Sequence, residues 1–152
     1  MRIAVAADHA GFPLKDLALE TVRDAGHEPI DLGTWSTDPV DYPDTARAAA
    51  EAVRDGRADR AVIVCGSGAG IAAAACKFPG IRATVAHDTY TAHQAVEHDD
   101  VNIVCLGGRV IGPALAQEII NAYLRAEFSG DERHVRRLGK IEAIEREFAG
   151  EG

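Results

Sequence analysis

Residues 60–71 read Arg60-Ala61-Val62-Ile63-Val64-Cys65-Gly66-Ser67-Gly68-Ala69-Gly70-Ile71, and the alanines Ala72 to Ala75 follow. The apolar run before the glycines is short and uninterrupted, as a strand buried on both faces is. Gly66, Gly68 and Gly70 suit a tight turn, and the alanines beyond them are good helix formers. A two-sided buried strand that turns straight into a helix is half of a βαβ unit, which predicts a parallel sheet covered by helices on both faces.

The same alternation extends in both directions. Apolar runs predict five strands, at Arg2 to Ala7, Glu28 to Leu32, Arg60 to Cys65, Arg82 to Ala86 and Asn102 to Leu106. Between them lie helical patterns: one from Pro13 to a stop at Gly26, one after Tyr42-Pro43 that ends near Gly56, one after Gly70, one over Thr89 to Glu97, and one starting by Pro113. The class is therefore α/β, with a five-stranded parallel sheet. The charged end of the chain is helical over about 131–149, with Ile141, Ile144 and Phe148 in one apolar stripe and no strand after it. Such a helix either caps its own domain or lies across a partner subunit, and a homodimer gives the stripe a home.

At 152 residues the chain fits one domain, spanning 1–152. Its 16 Lys and Arg against 24 Asp and Glu leave a formal charge of -8, which disfavours nucleic acid and anionic membranes as partners. An anionic ligand must then find a local basic pocket. The three cysteines, Cys65, Cys76 and Cys105, lie in apolar stretches and suggest reduced thiols, hence a cytoplasmic location, rather than a disulfide framework. The run from Arg2 to Ala7 is too short for a secretory leader, and no stretch is long enough to cross a membrane.

In an open parallel sheet, ligands bind beyond the carboxyl ends of the strands, where the strand order reverses. Four strand ends carry polar residues expected to converge there: Asp8-His9-Ala10-Gly11, Cys65 to Gly70, His87-Asp88, and Gly107-Gly108-Arg109. Taken singly, Asp8 reads equally well as a helix cap and His9 as a surface residue. The glycine loop is the strongest feature, because it lets backbone amides approach an anion at a helix start. It lacks the Lys-Ser or Lys-Thr of a nucleotide-phosphate loop, and Ile71 stands both where a dinucleotide loop has its third glycine and where a cysteine phosphatase needs an arginine. Neither a nucleotide cofactor nor phosphoenzyme chemistry is expected. Cys65 keeps two readings, a small buried hydrophobe like Cys76 and Cys105, or a thiolate base favoured by the helix end. Ser67 is a helix-capping hydroxyl or a group that moves a proton between substrate oxygens.

Two further clusters stand out. Glu97-His98-Asp99-Asp100-Val101-Asn102 reads as a loop before the fifth strand, with His98 as its candidate acid or base or as a helix-end cation. Arg133-His134-Val135-Arg136-Arg137 reads as a solvated charged face; alternatively Arg133 and Arg137, four apart, share a face and clamp a phosphate, with Arg109 completing the cluster. His27 and His93 get no role, and no spacing matches a metal site, so no metal is expected.

Asp8-His9-Ala10-Gly11-Phe12, Gly33-Thr34, Asp41-Tyr42-Pro43, Cys65 to Ile71, Lys77-Phe78-Pro79-Gly80-Ile81-Arg82-Ala83, Gly108-Arg109-Val110, and Arg133-His134 with Arg137 follow in order along nearly the whole chain. This set resembles the type B ribose 5-phosphate isomerases and the related galactose 6-phosphate isomerase subunits. The resemblance implies a Rossmann-like three-layer sandwich and a homodimer whose active sites draw on both subunits, with no cofactor; a tetramer stays open. It implies aldose-ketose isomerisation, in which Cys65 moves a proton through an enediolate, Ser67 shifts the oxygen-bound proton and His98 opens the cyclic sugar. It further implies that Gly66, Gly68, Ala69 and Gly70 form the anion hole, that Asp8 and His9 contact the sugar or its phosphate end, that Tyr42 lines the pocket, and that Arg109, Arg133 and Arg137 hold phosphate. Asp99 stands where the family usually has a pocket asparagine, and Cys76 replaces an asparagine before Lys77. A carboxylate at position 99 repels an anion that an amide would bind, so erythrulose 4-phosphate, allose 6-phosphate and galactose 6-phosphate remain alternatives to ribose 5-phosphate. A non-catalytic sugar-phosphate sensor is the competing class, opposed by intact Cys65, Ser67 and His98.

Overall fold

A computed structural model describes residues 1–150. Its elements are β1 (Arg2–Ala7), α1 (Phe12–Asp24), β2 (Glu28–Asp31), α2 (Tyr42–Arg54), β3 (Arg60–Cys65), α3 (Ala69–Ala75), β4 (Ala83–Val85), α4 (Thr89–Asp99), β5 (Ile103–Gly107), α5 (Pro113–Arg125) and α6 (Glu132–Phe148). The strands form one parallel sheet in the order β2-β1-β3-β5-β4. The chain leaves β1 toward one edge and returns to β3 on the other side, so the reversal lies between β1 and β3.

Strand alternation divides the interior in two. Ile3, Val5, Val62, Val64, Val104 and Leu106 face the layer of α1, α4 and α5. Ala4, Ala6, Ile63, Cys65, Ile103 and Cys105 face α2 and α3, where Ala46, Ala49, Ala50, Ala72 and Ala75 let the helices sit close. Each fully buried isoleucine contributes on the order of 2 kcal/mol of apolar transfer. The strand ends β1 and β3 are shared with the sequence reading to the residue, because both are central and buried on both faces.

Elsewhere the structure corrects that reading. β4 is shorter at both ends, β5 is shifted one residue onward, and α3 begins at Ala69 because Gly68, at φ +82°, turns the chain into it. α4 continues to Asp99, so Glu97, His98 and Asp99 are helical rather than loop; Asp100, in the left-handed region at φ +47°, ends the helix. Cys76 is exposed where α3 ends, not buried, while Cys65 and Cys105 are buried. The first turn of α6 packs on α4 of the same chain, through a stack of His134 on His98, yet Ile141, Ile144 and Phe148 stay exposed. Among the described residues no helix is long and apolar enough to cross a membrane.

Candidate active site

At the β1–β3 crevice the backbone fixes nearly every functional group. Asp8, only 5% exposed, donates its N–H to the Val64 carbonyl at 3.1 Å. Its carboxylate accepts the N–H groups of Ala10 and Gly11, each at 2.9 Å. That turn brings the chain against β3 so closely that a Cβ at Gly11 would collide with the Val64 carbonyl oxygen. Beside it, Nδ1 of His9 lies 3.1 Å from the Val40 nitrogen and 3.2 Å from the Val40 oxygen.

Cys65 ends β3 at 4% exposure, and its Sγ accepts the Gly68 N–H at 3.1 Å. The loop after β5 is laced over it: Gly108 N–H donates to the Cys65 carbonyl at 2.7 Å and Arg109 N–H to the Gly66 carbonyl at 3.0 Å. These bonds lay the Arg109 guanidinium over Gly66. Ser67 is exposed, its Oγ accepting the Ala69 N–H at 3.2 Å. The Tyr42 ring rests on Gly70, where a Cβ would come within 2.9 Å of it. Asp8, His9, Tyr42, Cys65, Gly66, Ser67, Gly70 and Arg109 thus line one cleft of about 380 Å³. Three of the four expected strand ends meet in it. The fourth does not: His87 Nε2 accepts the Gly107 N–H at 2.9 Å, and Asp88 caps α4 through Thr91, whose backbone and hydroxyl bonds hold the Asp88 carboxyl below its ordinary range.

The other expected residues gather at the opposite end of the sheet. α4 runs back from the carboxyl end of β4 to the start of β5, so its last turn is separated from Cys65 by the length of a strand, about 15 Å for five residues. His98 there meets Gln94 at 2.9 Å and stacks on His134 with ring centroids 4.0 Å apart. His134 is 2% exposed; its Nδ1 is 2.6 Å from the Ser129 hydroxyl, and its buried Nε2 has no partner among the described residues. Burial first, then His98 and Arg133, push the His134 pKa down. Asp99 is exposed beside the C-terminal half of α6. Arg133 and Arg137 are exposed on α6, and Arg133 reaches Asp131 at 3.5 Å. Arg109 therefore does not join Arg133 and Arg137 within one chain: it belongs to the Cys65 end, because β5 delivers it there. The Cys65 end holds the sulfur, the loop amides, His9 and Arg109; the other end holds His98, His134, Arg133 and Arg137.

Residues 3–141 match the family described as Ribose/Galactose Isomerase. The chain belongs to that family. It is similar to ribose-5-phosphate isomerase B of Escherichia coli, 43% identical over 144 residues that span 95% of this chain and 96% of that one. It also resembles the D-erythrulose-4-phosphate isomerase of Pectobacterium atrosepticum, at 40% identity and 86% of each chain. The solved structure of Clostridium thermocellum ribose-5-phosphate isomerase B superposes with a TM-score of 0.95 at 45% identity, covering 98% of this chain and all of that one. The fold is thus the three-layer fold of these isomerases, and the reaction class is sugar-phosphate isomerisation.

The burial of two polar residues of this isomerase escaped the sequence reading. His134 sits in a run of charges, and nothing local marks it as buried; its stack on His98 is a tertiary event. Lys15, within the charged pattern of α1, is 2% exposed. Its signal is faint: it stands one residue after buried Leu14, beside the apolar stripe rather than opposite it.

Proposed function

We propose that this isomerase interconverts ribose 5-phosphate and ribulose 5-phosphate through an enediolate, with Cys65 as the base. The observation that carries the reading is the Gly68 amide donating to Cys65 Sγ inside the one cleft that also holds Asp8, His9, Ser67 and Arg109. The sulfur takes the proton from carbon two of the open-chain aldose and returns it to carbon one. Ser67 passes the hydroxyl proton between the two oxygens, and the loop amides not already bonded to Cys65 Sγ or Ser67 Oγ serve the oxygen where negative charge grows, where preorganised donors are worth most. A positioned base contributes roughly 10²- to 10⁴-fold.

A cleft with a base but without the ring-opening imidazole is half a site. His98, Asp99, Arg133 and Arg137 lie a strand length away in the same chain, so the reading requires a second copy whose α4 and α6 close over the cleft. A two-fold dimer does this twice with one interface. The exposed stripe of Ile141, Ile144 and Phe148 supplies the apolar surface that such an interface needs. His98 of the partner subunit then opens the sugar ring, and Arg109 with the partner's Arg133 and Arg137 grips the phosphate, far from the reacting carbons, where it orients without changing during reaction.

The exposed carboxylate of Asp99 favours a second reading within the same chemistry, a different chain length of sugar. Proton NMR in heavy water decides both. Separate incubations with ribose 5-phosphate, erythrulose 4-phosphate, allose 6-phosphate and galactose 6-phosphate are followed for product and for deuterium entering at the reacting carbon. The expected result is fastest exchange with ribose 5-phosphate; exchange with another sugar alone reassigns the substrate, and none with any supports a sugar-phosphate sensor.

A further inference from the structure

Lys15 is a buried charge that the proposed chemistry does not use. Its ammonium lies 3.0 Å from both Asp31 oxygens and 2.6 Å from the Thr34 carbonyl, 4.0 Å from the centroid of the Trp35 ring. Its three N–H groups thus meet partners that all belong to the end of β2 and the loop after it. The same Asp31 carboxylate accepts the Gly33 N–H at 2.9 Å, and Gly33 and Thr34 dock on Ala7 by bonds of 2.7 and 2.8 Å, one residue before Asp8. Lys15 therefore fixes the near end of the loop. The far end of that loop is Val40, whose peptide holds the imidazole of His9.

The two anchors join the same pair of segments. α1, which carries Lys15, continues directly from the turn that carries His9, with Phe12 N–H bonded to the Asp8 carbonyl at 2.9 Å. Between the anchors, residues 35–39 are exposed. Thr34 and Trp35 face Val40 and Asp41 across a shared cavity, so the clamped half of the loop walls the half that touches His9. Stability alone does not call for an ion pair at this place: a buried pair can be replaced by apolar groups of similar volume at little or no cost. What an apolar pair cannot do is fix the Thr34 carbonyl.

We propose that Lys15 is a positioning residue for the isomerisation: by clamping Asp31 and Thr34 it sets the loop whose Val40 peptide holds His9 Nδ1, and so aims the other ring nitrogen at the sugar. Val40 presents both a donor and an acceptor to that single nitrogen. The imidazole is then held whether Nδ1 carries a proton or not, and the clamp fixes ring position across its protonation states. This inference rests on the isomerase reading for its kinetic consequence, though not for the ring geometry.

The test compares Lys15→Met, Lys15→Met/Asp31→Asn and the unaltered chain. The double variant removes both charges together, so neither is stranded. Thermal midpoints, kcat, KM and the ¹⁵N resonances of the His9 ring in histidine-labelled protein are recorded. The single variant should lose midpoint; the double variant should regain it. Both should lose roughly 10- to 100-fold in kcat/KM, as expected when a substrate-positioning group is misplaced by about 1 Å. In both, the His9 nitrogen shifts should move. A double variant with unaltered kcat/KM and His9 resonances overturns the proposal, as does one whose activity recovers along with its midpoint. If the unaltered chain turns over none of the sugars, the substrate reading fails instead, and the His9 resonances alone decide Lys15.

Discussion

At the carboxyl ends of the strands, Asp8, Cys65 and Arg109 are held by bonds of 2.7 to 3.1 Å from backbone N–H groups, whereas at the opposite end His98 and Arg133 rest on side-chain contacts and Arg137 is exposed on α6. The first end is complete as a scaffold, and its donors need no rearrangement when charge develops. The second takes its final geometry from whatever α6 packs against. In the proposed mechanism the base stands at a strand end, while the ring-opening imidazole and two of the phosphate ligands stand on helices.

The sharpest way to break this contrast is Cys65→Ala, which should lower kcat by roughly 10²- to 10⁴-fold while leaving sugar-phosphate binding nearly intact; equal loss of both in calorimetry and kinetics would remove Cys65 as base. Next comes subunit mixing. Cys65→Ala and His98→Ala should each be inactive alone, and co-refolded together should recover about a quarter of the original activity, because half the dimers are mixed and each has one intact site. No recovery would mean that both groups serve the same chain's site. Arg137→Ala should raise KM roughly tenfold to a hundredfold with kcat little changed, the loss expected of a charge-assisted bond kept throughout the reaction.

The smallest effect concerns His134. Its folded pKa lies below the usual 6.5, so it stays neutral in place while the unfolded chain takes up a proton, and stability falls as pH drops through that range. His134→Phe keeps a ring against His98 but cannot titrate. Its thermal midpoint should fall less than the parent's between about pH 7 and about pH 5; an unchanged slope would show that the imidazole is protonated within the fold.

The same contrast explains what the sequence made legible. β1 and β3 are apolar on both faces, so hydrophobic runs alone delimit them, and the glycines mark the loop that shapes the cleft. The helix-borne end was harder to read. The acidic run at 97–100 looks like a loop, although Asp100 in a left-handed cap only ends the helix there. His134 and Lys15 are buried by partners 36 and 16 residues away, a tertiary event of which only Lys15 carries even a faint local sign. Cys76 was placed inside because its neighbours are apolar, yet the end of α3 turns it outward.

The strand-length gap between Cys65 and His98 also bears on quantity. If neither chain alone holds a whole site, turnover is an attribute of pairs, and specific activity is not constant on dilution. Below the dissociation constant of the pair, the rate should follow the square of the protein concentration, and substrate that bridges two chains should draw them together. The cell would then read the abundance of this polypeptide through a threshold rather than in proportion.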